Sequence, residues 1–118
     1  MNIINTNIDR ENKREVYRLT KSESQRVQDM ERGVSLPVDK WCLYDEDYKK
    51  KDGTVDQRTV LAVTIKGGMK IATISATFIS SFMEIVEIMG DEAFSIVITG
   101  GTSKGGRDYV NCELDCDG

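Results

Sequence analysis

Residues 98–110, "ITGGTSKGGRDYV", hold the densest set of chemistry-capable residues in the chain: Gly100, Gly101, Gly105 and Gly106 within seven positions, with Lys104, Arg107 and Tyr109 among and after them. Three chemistries use such a segment: a phosphate cradle, a mobile lip over a polymer, or a charged hairpin turn. The nucleotide cradle requires G-x-x-x-x-G-K-[ST] running from a strand into a helix. Here Lys104 precedes its glycine pair and the following residues alternate as a strand, so no helix dipole stands ready for a pyrophosphate. A dinucleotide fingerprint fails on the same ground. A lip or a hairpin remains. Glycines let backbone approach a ligand closely, and Lys104 and Arg107 can meet phosphate.

Other site chemistry is sparse. The chain has no histidine, which removes the commonest general base and metal ligand. Cys42, Cys112 and Cys116 have no zinc-type spacing. Ser75, Thr77 and Asp108 read as a helix cap and a loop acid rather than a nucleophile–base set. The expectation is a non-enzymatic protein with no metal and no cofactor.

At 118 residues the chain fits one domain. It has no apolar run of about 18 residues and no signal-peptide core at its start, so the expected location is the cytoplasm, away from membranes. Net charge is −4, but its distribution matters more. Residues 1–33 carry seven Lys/Arg and six Asp/Glu, residues 34–66 six and six, and residues 67–118 three and eight. If those late acids share one side, a basic face survives elsewhere.

Hydrophobic periodicity supplies the elements that must position these groups. Residues 1–21 are expected as a flexible N-terminal arm, within which "EVYRLT" suits a strand or a helical turn. Ser22 and Gln25 form a capping-box pattern and Gly33 a stop, predicting a short helix over 22–33. "LPVDKWCLYDEDY" has strand composition, and Asp52-Gly53 marks a turn. In "RTVLAVTIK", Leu61, Val63 and Ile65 alternate with the outward set Arg58, Thr64 and Lys66. Gly67-Gly68 marks a hairpin into "MKIATIS". Phe78, Phe82, Ile85, Val86 and Met89 then recur at helical spacing, capped by Ser75 or Thr77 and ended by Gly90. "AFSIVITGG" and "RDYVNCELD" are strands again.

Three strands, a helix and two strands is the order of a mainly β (α+β), OB-fold-like five-stranded, partly open barrel with one helix between strands 3 and 4, plus the short N-terminal helix. Residues 22–118 would form that single domain, a plain α+β sheet of the same order being the alternative. In the barrel, residues 98–110 become the loop between strands 4 and 5, beside the binding groove. With Val110, Cys112 and Leu114 inward, Arg107, Tyr109 and Asn111 point outward, as do Arg58 and Lys66, with Lys70 on the next strand. An outward aromatic among outward cations suits single-stranded nucleic acid, which needs a stacking plate and charge along the backbone. Trp41 and Tyr44 lie near the Lys49–Lys51 run, and the parity of their bent strand leaves Trp41 open between core and groove. Phe78, Phe82 and Phe94 are assigned to the core.

On "GGMKIATISATF" and "FSIVITGGTSKGGRDYV", the sequence resembles the single-stranded-DNA-binding proteins of tailed phages of Gram-positive bacteria, in particular those with protein-primed replication. The likeness covers roughly residues 60–114. Ile71 stands where that pattern has an aromatic residue, and residues 1–35 have no recognised counterpart. The resemblance implies a protein that coats template strand during replication, with Lys104 on the backbone and Tyr109 stacking. The expected site is therefore Tyr109 with Trp41 or Tyr44 for bases, and Arg58, Lys66, Lys70, Lys104 and Arg107 for phosphates. Single-stranded DNA is the expected partner, with replication proteins as a further class. The rival reading is a phage protein-interaction module that binds a host protein through the acidic residues of the helix and C-terminus. A small-molecule binder and a small enzyme stand behind both.

Overall fold

A computed structural model of the chain describes residues 1–102, 105–106 and 108–117. Along the chain run β1 (Asn2–Thr6), α1 (Lys13–Lys21), β2 (Gln25–Arg26), a single 3-10 turn (Val27–Asp29), β3 (Ser35–Lys49), β4 (Val55–Ile65), β5 (Lys70–Thr73), α2 (Ala76–Met89), β6 (Ser95–Thr102) and β7 (Asp108–Leu114). The sheet order is β2-β5-β4-β3-β6-β7, with β1 also on β3. All pairs are antiparallel except β2–β5.

This corrects the expected fold class. The molecule is a curled half-barrel of seven strands with two helices, not a five-stranded barrel with one helix between strands 3 and 4. Two strands precede those read from the sequence, so α2 falls between the fifth and sixth. The expected helix over 22–33 is also replaced. Asn12, not Ser22, caps the N-terminal helix, accepting from the Glu15 amide (3.3 Å), and Ser22 lies at its C-terminal end, donating to the Arg18 carbonyl. Residues 1–21, expected as a loose arm, pair and pack: β1 runs along Cys42–Asp45 of β3, and α1 buries Val16 and Leu19.

β3 organises the rest. It pairs with β4 along one edge. Along the other, Ser35–Pro37 pair with β6 and Cys42–Asp45 with β1. Between these two partners the register with β4 shifts between Val38 and Trp41, the signature of a bulge. The freed backbone groups are satisfied by side chains. The Lys40 amide donates to Thr64 Oγ1 (3.0 Å), whose hydroxyl donates back to the Lys40 carbonyl (3.2 Å). The Trp41 amide donates to Asn7 Oδ1 (2.8 Å), and the Thr6 hydroxyl donates to the Trp41 carbonyl (2.6 Å).

The extra residue inverts the alternation. Leu36 and Val38 before the bulge and Trp41 and Leu43 after it all enter the main core, with Leu61, Val63, Ile71, Phe78, Phe82, Ile96 and Ile98. Cys42 and Tyr44 turn to the opposite face and join Ile8, Val16, Leu19, Val60 and Ala62 beneath α1. β4 is therefore buried on both faces, which explains why Val60 and Ala62 are apolar at positions the alternation assigned to solvent.

α2 starts where Ser75 Oγ accepts from the Phe78 amide (3.3 Å) and ends at Gly90, whose amide reaches the Val86 carbonyl (2.9 Å) at φ 59°. Its Phe82 ring sits 6.0 Å from Trp41, edge-on, and 5.9 Å from Phe94. Among the described residues no helix is long and apolar enough to cross a membrane. Phe82 is fully buried, so Phe82→Ala should cost about 3–5 kcal/mol, read from the urea midpoint. A loss below about 1 kcal/mol would contradict this packing.

Candidate nucleic-acid interface

The glycine-rich edge is built from the pairing of β6 and β7. Gly101 faces Tyr109, and Gly100 faces Val110. Because Gly101 has no side chain, the Tyr109 ring lies against its backbone: a Cβ there would sit 3.5 Å from the phenol oxygen and 3.8 Å from ring carbons. Tyr109 stays 52% exposed, an aromatic plate supported by backbone and open to solvent. Gly100 has φ 150°, and a Cβ on it would overlap the Tyr109 carbonyl oxygen. Here glycine is a steric requirement.

A cation lies at Gly100, on the face of β6 opposite the Tyr109 ring. Arg32 Nη1 donates to the carbonyls of Met30 (2.6 Å) and Gln28 (3.2 Å), and Arg32 Nε lies 3.2 Å from the Cβ position of Gly100. The Gly33 amide ties this turn to β6 through the Ile98 carbonyl (2.9 Å). Sequence reasoning missed Arg32, which sits at the end of a segment read as a helix; the only signal was Gly33 beside it, a turn that φ 86° now places. Lys104 and Arg107 lie outside the described residues.

The three cations expected on the sheet, Arg58, Lys66 and Lys70, have different surroundings. Arg58 remains on the surface of β4, bonded to Glu46 (2.7 and 2.8 Å) with its guanidinium 5.1 Å over the Tyr48 ring. Its charge is thus offset while its position is held. Beside it lies a groove of about 490 Å³ lined by Arg26, Arg58, Val60, Ala72 and Ile74. Lys66 is exposed beyond the β3 bulge, facing a recess that also holds Lys40, Asp91 and Glu92. Lys70 is turned inward: its Nζ donates to the Ser22 carbonyl (2.7 Å) and hydroxyl (3.1 Å) and reaches the Arg18 carbonyl (3.4 Å). Burial there holds its pKa below the ordinary lysine value.

The two aromatics expected with Tyr109 are interior. Trp41 is 4% exposed in the main core, which resolves the parity question in favour of the core. Tyr44, also 4% exposed, donates its hydroxyl to the Thr20 carbonyl (3.2 Å), and burial, aided by Glu46, pushes its pKa up to about 12. Tyr44 nonetheless forms part of the wall of the groove that holds Arg26 and Arg58.

A family model described as the phage single-stranded DNA-binding protein matches residues 2–115. The chain belongs to that family. The match spans β1 and α1 as well as the glycine-rich edge, so it extends well beyond the 60–114 likeness read from the sequence. No curated protein and no solved structure matches the chain significantly.

Gly100→Ala should destabilise the fold by more than about 1 kcal/mol, since the native φ is hostile to a side chain. Gly101→Ala, whose Cβ would meet Tyr109 at ordinary contact distance, should change it little. Equal denaturation midpoints for the two variants would contradict the geometry described.

Proposed function

We propose that this protein binds single-stranded DNA without sequence preference, as a non-enzymatic coat of exposed template during phage replication. The observation that carries the mechanism is the Tyr109 ring resting on Gly101 with its outer surface open. A base has a π-face in every sequence, and stacking on such a plate contributes roughly 1–3 kcal/mol per base. Paired bases in a duplex do not offer that face. The membership of the chain in the phage single-stranded DNA-binding family supports the choice of ligand.

Arg32 beside the glycine pair, Arg58 and Lys66 on the surface, and Lys104 and Arg107 within the loop are the cations assigned to phosphate. Trp41, Tyr44 and Lys70 serve the fold in this reading. Of the late acids, Glu84 and Glu87 lie exposed on α2, while the exposed Glu113 shares the outward side of β7 with Tyr109.

The test is a fluorescence titration of the protein with labelled poly-dT of about thirty nucleotides and with its duplex, across a salt series. With about four phosphates neutralised, log affinity for the single strand should fall against log salt with a slope near −3, from about −0.7 per contact. Tyr109→Ala should lose roughly 1–3 kcal/mol of binding. A flat salt response, or equal affinity for duplex, would overturn the proposal.

A further inference from the structure

The N-terminal helix carries a second surface with the same two ingredients. Lys13, Arg14, Tyr17, Arg18 and Lys21 are all exposed on α1, while Val16, Leu19 and Thr20 face the sheet. Tyr17 is 69% exposed, more than Tyr109. Residues three and four apart share a helix face, so Lys13, Arg14 and Lys21 border Tyr17 directly and Arg18 follows it in the chain. The Lys13, Arg14, Tyr17 and Arg18 side chains line a shallow recess of about 420 Å³. From Lys13 to Lys21 the helix spans about 12 Å, at roughly 1.5 Å per residue.

Three observations separate this face from an ordinary solvated helix. Among the described residues, none of its four cations forms an ion pair. The one acid on the helix, Glu15, is drawn aside by Asn12 Nδ2 (2.9 Å). The C-terminal carbonyls, the negative end of the helix dipole, are covered by Lys70 Nζ at Arg18 and Ser22. The recess of Lys13, Arg14, Tyr17 and Arg18 has no acid in its walls. The helix also adjoins the sheet grooves: the recess holding Arg18, Lys40 and Lys70 with Glu15, Glu23 and Asp39, and the groove holding Arg26 and Arg58 with Glu46, both include Ser24 in their walls.

We infer that the exposed face of α1 is a second contact surface for single-stranded DNA, with Tyr17 stacking a base and Lys13, Arg14, Arg18 and Lys21 following the phosphates. The inference rests on the proposed single-strand binding and extends it to a part of the molecule far in sequence from the glycine-rich edge. An exposed aromatic ring amid uncompensated cations matches an unpaired base with its backbone better than a folded protein surface, which would present acids to neutralise the cations but no partner ring plane by necessity.

Full-length protein carrying Tyr17→Ala, Tyr17→Phe or the pair Arg14→Gln and Arg18→Gln would be titrated with the labelled poly-dT beside wild type and Tyr109→Ala, with sedimentation measured in parallel. All changed side chains are exposed, and thermal melts check that the fold is kept. Tyr17→Ala should weaken binding about tenfold and Tyr17→Phe should not. The arginine pair should make the salt slope shallower by about 1.4. Wild-type affinity and slope in these variants, with Tyr109→Ala impaired, would overturn the α1 surface and leave the single-strand reading standing. A loss of self-association with unchanged DNA affinity would overturn it too, by making the face a contact between copies. Failure of wild type to bind the oligonucleotide would remove the underlying reading itself.

Discussion

The bulge in β3 between Val38 and Trp41 is the constraint on which the rest depends. A strand of fifteen residues that kept a strict alternation would present one set of side chains to one face throughout. The inserted residue changes that set midway, so the same strand lines the core with Leu36 and Val38, then with Trp41 and Leu43. It also bends the strand from β6 to β1, curling the sheet. A bulge leaves backbone groups without ladder partners, and these are costly unless paired. Asn7, Thr6 and Thr64 pair them. The N-terminal segment is thus part of the mechanism that permits the bend.

That arrangement decides where a ligand can be met. With α2 and the main core on one face of β4 and α1 on the other, the sheet is covered on one side and partly on the other, where a groove stays open beside Arg58, Val60 and Ala72. Open aromatic surface is left at the β6–β7 edge, where Gly101 supports Tyr109, and on the outer side of α1, where Tyr17 stands clear. A ring lying on glycine backbone keeps one surface free at little conformational cost, because its other surface is already fixed. Arg32 is likewise held in place, by the carbonyls of Met30 and Gln28.

Much of this was legible where periodicity is strong. β4, β5, α2, β6 and β7 follow from alternation, from the Ser75 and Gly90 ends of α2 and from the Gly67-Gly68 hairpin. The exposed Tyr109 follows from its parity against Val110 and Cys112. What was not legible has physical causes. A bulge is one residue with no composition of its own, so Trp41 had no readable side. α1 commits only two apolar residues, Val16 and Leu19, to the sheet beside Thr20, too few to announce a helix, and β1 is asparagine-rich, a composition that favours turns. The Ser22–Gln25 pattern misled because the Ser22 hydroxyl bonds to the carbonyl end of the preceding helix. Without β1, α1 and β2, the remaining strands resembled a small barrel; with them, the sheet runs open.

The central claim is that single-stranded DNA meets the exposed tyrosine on the glycine edge and leaves the interior aromatics undisturbed. Photocrosslinking of the protein to a bromodeoxyuridine-substituted oligonucleotide, followed by peptide mapping, tests it most directly. The account predicts adducts on Tyr109 and none on Trp41 or Tyr44. Adducts on Trp41 or Tyr44 with Tyr109 unmodified would contradict it, because those two rings are almost wholly buried and Tyr109 is not.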